Sequence, residues 1–283
     1  MMRSGDYKIR ISNRGIRSSL KSYSFSPAAL MRTLLQIYHL MRLELKQQAF
    51  GFSLGNLWLL LEPALQAGAY YFLLTVVFAM RGSDATFAFF FVAITFWRSH
   101  AILIGTSPYF LTQKGFAYIE QGFGLKIAFL EFAAQEVVLF ILRFLVLLFF
   151  LIVAGYTPSV VWLMSLYFAV CMFLFSLALS LWLSVLGAVF RDIGKFVSHF
   201  VWLWWYLSPG LYSIKRIPEW AEPIFALNPF SYIIPAIHGS LLDKAVNPDL
   251  LISNTVLALV SLIAMVLGWR MVKRFGYVIA RYV

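Results

Sequence analysis

The sequence predicts an all-α polytopic membrane protein: six transmembrane helices, an N-terminal amphipathic helix, and short re-entrant outer helices before the last span. Three observations carry this. The 283 residues are 61% hydrophobic and only 12% charged, far from a soluble globular composition. Six apolar runs, near 57–80, 87–106, 127–153, 160–189, 194–212 and 251–272, come close to or exceed the about 20 residues that cross a bilayer core. Finally, the stretch before the last run is broken by prolines into pieces too short to span.

The chain divides into a basic cytoplasmic tail (1–27), an amphipathic helix (28–50) and a six-span domain (51–283). The first 25 residues have no apolar core, so no cleavable signal peptide is expected. Ser26-Pro27 places an N-cap before proline at the first helical position. Leu30, Leu34, Ile37, Met41 and Leu45 then recur at helical spacing, with Arg32, His39, Arg42 and Lys46 off that stripe. Such a helix lies along a membrane surface or packs on other cytoplasmic parts.

Charge gives the spans a direction. Nine Lys and Arg residues precede the first span, and Arg270, Lys273, Arg274 and Arg281 close the chain. Six spans put both ends on one side, together with Lys114, Lys126, Arg191 and Lys195, so that side holds 17 of 23 basic residues. The positive-inside rule makes it cytoplasmic. The pI near 9.8 therefore reports a face against anionic lipid and implies no nucleic-acid partner.

Between spans two and three, residues 107–126 mix Tyr109, Phe110, Phe116, Tyr118 and Phe123 with Gln113, Lys114, Glu120 and Gln121. This segment is too polar to span. It reads as a short docking helix or as the opening turn of span three. Residues 207–249 hold six of the ten prolines. Irregular apolar backbone at membrane depth is tolerated only against protein or a water-filled cavity, which points to re-entrant helices at the outer mouth.

Several chemistries are excluded. The chain has no G-x-x-x-x-G-K-[ST] loop to cradle nucleotide phosphates. His39, His100, His199 and His238 are scattered without metal spacing, and the single Cys171 cannot form a thiolate cluster. No metal or cofactor is expected in this chain. Gly51-Phe52-Ser53-Leu54-Gly55 matches a serine nucleophile elbow literally, but that elbow needs a preceding strand, so the glycines read as a turn into span one.

Ionisable residues inside spans are functional candidates. They are Glu62, Arg98, His100, Glu131, Glu136 and Arg143. Glu136 and Arg143 lie seven residues apart, two turns on one helical face, so they can pair or fix helix packing. Arg98, beside Trp97 and His100, reads as cavity-lining. Trp202, Trp204, Trp205, Tyr206 and Tyr212 belt the interface or stack on sugar rings. The candidate translocation path comprises Trp58, Glu62, Trp97, Arg98, His100 and Tyr212.

Three stretches together resemble the membrane subunit of polysaccharide-exporting ABC transporters. They are LGNLWLLLEP at Leu54–Pro63, FRDIGKF at Phe190–Phe196, and LSPGLYSIKRIPEW at Leu207–Trp220 with LNPFSYI at Leu227–Ile233. The resemblance covers nearly the whole chain except residues 1–27. It implies a multi-pass protein of the bacterial inner membrane, homodimeric, docked on a separate dimeric ATPase that carries ATP and Mg. It also implies a lipid-linked polysaccharide substrate and periplasmic or outer-membrane export proteins as further partners. On this reading helix 28–50 is the interface helix. Tyr109, Gln113, Lys114, Tyr118 and Glu120 form the main coupling segment, and Arg191 and Asp192 a second contact. The LEP ending, where many O-antigen exporters have LNP, is similar to capsular permeases. O-antigen, teichoic acid and drug or lipid permeases of the same fold are alternatives. So is a membrane-embedded enzyme of lipid-linked sugars, for which Asp84, Asp243 and Asp249 are too scattered.

Overall fold

The computed structural model describes residues 9–12, 15–18, 27–49, 57–82 and 86–282. The Gly51–Gly55 turn and Asp84 lie outside the described residues, as does most of the tail. Within that tail, β1 (Ile9–Ser12) and β2 (Gly15–Ser18) pair antiparallel, with Ile11 opposite Ile16. The sequence reading had no hairpin there. All other regular elements among the described residues are helical.

Helix α1 (Pro27–Ala49) packs along α5 (Leu125–Val153). Ile37 is buried and Leu40 packs on the core, whereas Met31, Leu34, Leu35 and Tyr38 remain exposed. The expected apolar stripe therefore splits in two. One line grips the protein and a second, rotated from it, faces outward, as a helix shared between protein and lipid surface requires.

α2 (Trp58–Tyr71) contains Pro63 and runs on into a π-helical turn, Phe72–Val77. α3 (Phe87–Thr106) begins with Thr86, whose hydroxyl accepts from the Phe89 amide at 3.2 Å. It continues through a 3-10 turn (Ser107–Tyr109) and a π turn (Phe110–Gly115) into α4 (Phe116–Glu120). After α5 come α6 (Leu163–Val189) and α7 (Ile193–Tyr206). The short helices α8 (Glu222–Ala226) and α9 (Phe230–His238) precede α10 (Pro248–Tyr282).

Among the described residues, four helical segments are long and apolar enough to cross a membrane: Phe87–Glu120, Leu125–Val153, Val160–Val189 and Pro248–Arg274. The pair Glu219–Ala226 and Phe230–Asp243 is bent by 99° and makes a fifth only if taken as one broken span. Apolar runs and crossing-length helices differ in number for a physical reason. The run 194–212 yields a helix of 14 residues, about 21 Å at 1.5 Å per residue. It stops where Ser208-Pro209-Gly210 turns the chain. A methyl on Gly210 would come within 2.6 Å of the Trp205 ring, so this tight turn needs glycine.

α3 is central, packed against α2, α5, α6, α7 and α9. Outward faces are apolar: Ile141, Leu142, Leu145, Phe149 and Ile152 on α5, and Ile252, Val256, Leu259, Ile263 and Val266 on α10. The buried face of α6 sets a line of small residues, Ser165, Ala169, Ser176, Ser180 and Ser184, beside Phe168, Met172 and Leu181. Small residues admit close backbones, which is how helices pack tightly inside a membrane. Ser180 reaches across to the Leu103 carbonyl at 3.1 Å. α6 and α10 are cross-linked by Trp182 Nε1 to the Ala264 carbonyl at 3.0 Å. Gly268 of α10 lies against Leu181 and Trp182.

Candidate functional site

Three charged groups descend through the interface of α2, α3, α5 and α1. In the first, Arg98 on α3 is ion-paired with Glu62 on α2; their side chains are 27% and 51% exposed. In the second, Arg143 meets Glu136 at 3.2 Å one face along α5, and donates to Ser99 Oγ at 2.6 Å. Both partners are buried. The sequence-predicted pairing is thus present, and Ser99 completes it. In the third, Lys114 donates to Glu44 Oε2 at 2.6 Å and lies 2.7 Å from Glu131 Oε2, outside hydrogen-bond angles for the latter. Gln135 Oε1 also accepts from Lys114 at 3.4 Å. Glu131 is 0% exposed. A carboxylate that deep needs a cation, because an unpaired buried charge costs several kcal/mol or more.

Glu62 of the LEP ending in the first motif faces the Arg98 guanidinium on the neighbouring helix.

An aromatic cage sits beside the first two groups. Trp97, His100, Trp204 and Phe230 are mutually in ring contact, with Trp97 to Phe230 at 4.7 Å and His100 to Phe230 at 4.3 Å, and Trp205 joins them through Trp97. The structure places Trp97 and His100 in the packed core. His100 Nδ1 is 2.7 Å from Ser176 Oγ. Trp205 donates to the Tyr70 hydroxyl at 3.0 Å, joining α7 to α2. Trp58 is exposed. Tyr212 is half-buried and donates to the Tyr206 carbonyl at 3.0 Å.

Asn228, in the LNPFSYI stretch, reaches back to the start of the LSPGLYSIKRIPEW stretch. Its Oδ1 accepts from Trp204 Nε1 at 2.9 Å and from the Phe230 amide at 3.1 Å. Its Nδ2 donates to the Leu207 carbonyl at 2.8 Å and to Ser208 Oγ at 3.2 Å. One amide therefore ties the end of α7 to the start of α9.

The two segments expected to couple to a partner touch each other. A methyl on Gly194 would overlap the Tyr109 ring, and one on Gly187 would overlap the Pro108 backbone. Segment 107–115 therefore seats on the α6–α7 turn through two glycines. Gln113, Glu120, Arg191 and Asp192 are exposed, and Tyr109 is at the surface edge of that seat. Tyr118 is buried and Lys114 turns inward to the third charged group. Sequence reading did not single out Glu44, Ser99, Gln135, Ser176, Asn228 or the two glycines for a role. Only Asn228 and Gly194 stood inside motifs it quoted. Among the described residues no three His, Cys, Asp or Glu side chains group so as to hold a metal ion.

Comparison with known proteins identifies this architecture. The ABC-2 type transporter family profile matches residues 35–242, from the middle of α1 through the end of the bent pair. The chain belongs to the ABC-2 type transporter family. Among ABC-2 relatives, it is 26% identical over 236 residues to the O-antigen export system permease protein RfbA of Klebsiella pneumoniae, covering 83% of this chain and 89% of that one. It is 28% identical over 209 residues to the protein of the same name from Myxococcus xanthus, covering 71% and 79%. The ABC-2 match leaves out the β hairpin and the first part of α1, and ends before α10.

Proposed function

We propose that this chain is the membrane subunit of an ATP-driven exporter that moves a lipid-linked polysaccharide out of the cytoplasm, with ATP and Mg bound by a separate ATPase subunit. The observation that carries this is the similarity over most of the chain to permeases named for O-antigen export, joined to the lack of a nucleotide-binding loop in the sequence. An O-antigen-type glycan is the better supported cargo. Glu62 of the LEP ending, the feature that leaned toward capsule, is ion-paired with Arg98.

In this reading the bent pair re-enters from the outer face, α2 and α7 complete six crossings, and both termini are cytoplasmic in the inner membrane. Two copies enclose the conduit, since one bundle with so packed a centre around α3 leaves no glycan-sized passage. Trp58, Glu62, Arg98 and Tyr212 border that path, with Trp97 and His100 supporting it from behind. Gln113, Glu120, Arg191 and Asp192 meet the ATPase, backed by Tyr109, Lys114 and Tyr118. Closure of the ATPase then rocks the two halves as rigid bodies.

The test is copurification and deletion. Tagged chain should bring down an ATPase, and deletion should leave lipid-linked glycan inside the cell. A chain that purifies without an ATPase, or a deletion that leaves surface polysaccharide intact, overturns the proposal.

A further inference from the structure

Lys114 joins α1, α5 and the segment between α3 and α4 at once. Its ammonium stands on the π turn Phe110–Gly115. It is held by Glu44 of α1 at 2.6 Å and by Glu131 of α5 at 2.7 Å, over the Phe132 ring at 5.8 Å. The other end of the same segment is pressed on the α6–α7 turn by Pro108 against Gly187 and Tyr109 against Gly194. Residues 108–114 therefore form a short beam fixed at both ends. One end meets the second predicted coupling turn. The other meets the surface helix.

We infer that Lys114 is a positioning residue that passes movement of the coupling segment to α1, so that the membrane-surface helix shifts with each ATPase cycle. This rests on the reading of the chain as a permease driven by a separate ATPase. Three features support it. First, Lys114 is turned onto Glu44, Glu131 and Gln135 of this chain, so its charge is engaged within the chain. Second, Glu131 is fully buried and cannot release the cation cheaply. Glu44 is the accessible member, its side chain 35% exposed, and is the point where the link can be tuned. Third, a cavity of about 290 Å³ adjoins the group, lined by Glu44, Tyr109, Gln113, Lys114, Gln135 and Glu136 among others. It gives the beam space to move without breaking the core. π turns, with their looser hydrogen bonding, recur at functional sites.

The experiment uses the full transporter, permease and ATPase together, in vesicles loaded with the lipid-linked glycan that the parent strain makes. ATP consumed per glycan exported is measured for Lys114→Met, Glu44→Gln, their combination, and Lys114→Arg. Coupling free energies of this type correspond to about 5–150-fold, so Lys114→Met and Glu44→Gln should each raise that ratio at least about fivefold. The double variant should be no worse than the worse single, as for two residues on one route. Lys114→Arg should restore the ratio to near the parent's. A purely structural role would lower the amount of assembled transporter and leave the ratio unchanged.

A parent-like ratio in Glu44→Gln overturns the inference, as do effects that add in the double variant. Should Lys114→Met fail to assemble, Glu44→Gln alone decides, because that change leaves the Lys114–Glu131 pair in place. Failure of the unmodified transporter to export would strike instead at the proposed function, and is distinguishable for that reason.

Discussion

Arg98 on α3 and Glu62 on α2 neutralise each other across the contact between the two helices. The guanidinium that the sequence offered as cavity-lining is thus already partnered. A part-exposed pair contributes about 0.2–1 kcal/mol, so Arg98→Ala should leave assembly intact. If Arg98 also meets cargo, surface polysaccharide should fall while membrane levels of the chain hold. Immunoblot and polysaccharide gel on the same cells check this. Normal polysaccharide would confine Arg98 to joining α2 and α3.

Glu136 and Arg143 form a different kind of pair, buried and bonded to Ser99. Arg143→Met strands a carboxylate in the core, a change that costs about 3–5 kcal/mol. The single variant should unfold earlier in detergent than the parent. Glu136→Leu with Arg143→Met should recover most of the loss, because no uncompensated charge remains. Thermal unfolding followed by gel filtration separates the two. A double variant as unstable as the single would show that the pair is more than mutual compensation.

Gly194 admits the Tyr109 ring. Gly194→Ala should push that ring off its seat, at about 1–3 kcal/mol for overpacking, and reduce export. Tyr109→Ala in the same chain removes the overlap. Recovery of export in Gly194→Ala with Tyr109→Ala, relative to Gly194→Ala, is the expected result. Gly187→Ala has no such remedy, since it meets the Pro108 backbone, and should be the more damaging of the two glycine changes.

Asn228→Ala removes four hydrogen bonds and leaves Trp204 Nε1 without its acceptor. Buried donors without partners cost about 1–3 kcal/mol each. Limited proteolysis should then cut between α7 and α9 in Asn228→Ala under conditions where the parent chain is intact. Asn228→Asp keeps the two accepted bonds and should be protected more than Asn228→Ala.

The apolar runs were legible because hydrocarbon burial demands length and composition together, so 87–106, 127–153 and 160–189 fell within a few residues of α3, α5 and α6. The pairing of Glu136 with Arg143 was legible because helical periodicity alone places them on one face. The partner of Arg98 was not, since which face of α2 meets α3 is a tertiary matter. Glu44 and Lys114 are 70 residues apart, and no local pattern joins them. Glycines gave no signal of their role either: Gly187 and Gly194 act through what is absent, and only the opposing Pro108 and Tyr109 reveal the need. The short α7 was misjudged in length because an apolar run can outlast the helix within it.

The cross-links between α6 and α10 bear on how the molecule can move. Trp182 grips Ala264, Gly268 lets the backbones close, and the Tyr167 hydroxyl of α6 is hydrogen-bonded to the Thr255 hydroxyl of α10 at 2.6 Å. A pair fastened at several heights cannot slide, so the C-terminal side of the chain is its keel. Deformation must fall on α2, softened by Pro63 and its π turn, and on α7, which travels with it because Trp205 holds Tyr70. Backbone amides should accordingly exchange slowest along α6 and α10 and sooner along α2, which would make the last amides to take up deuterium a map of the part that stays still.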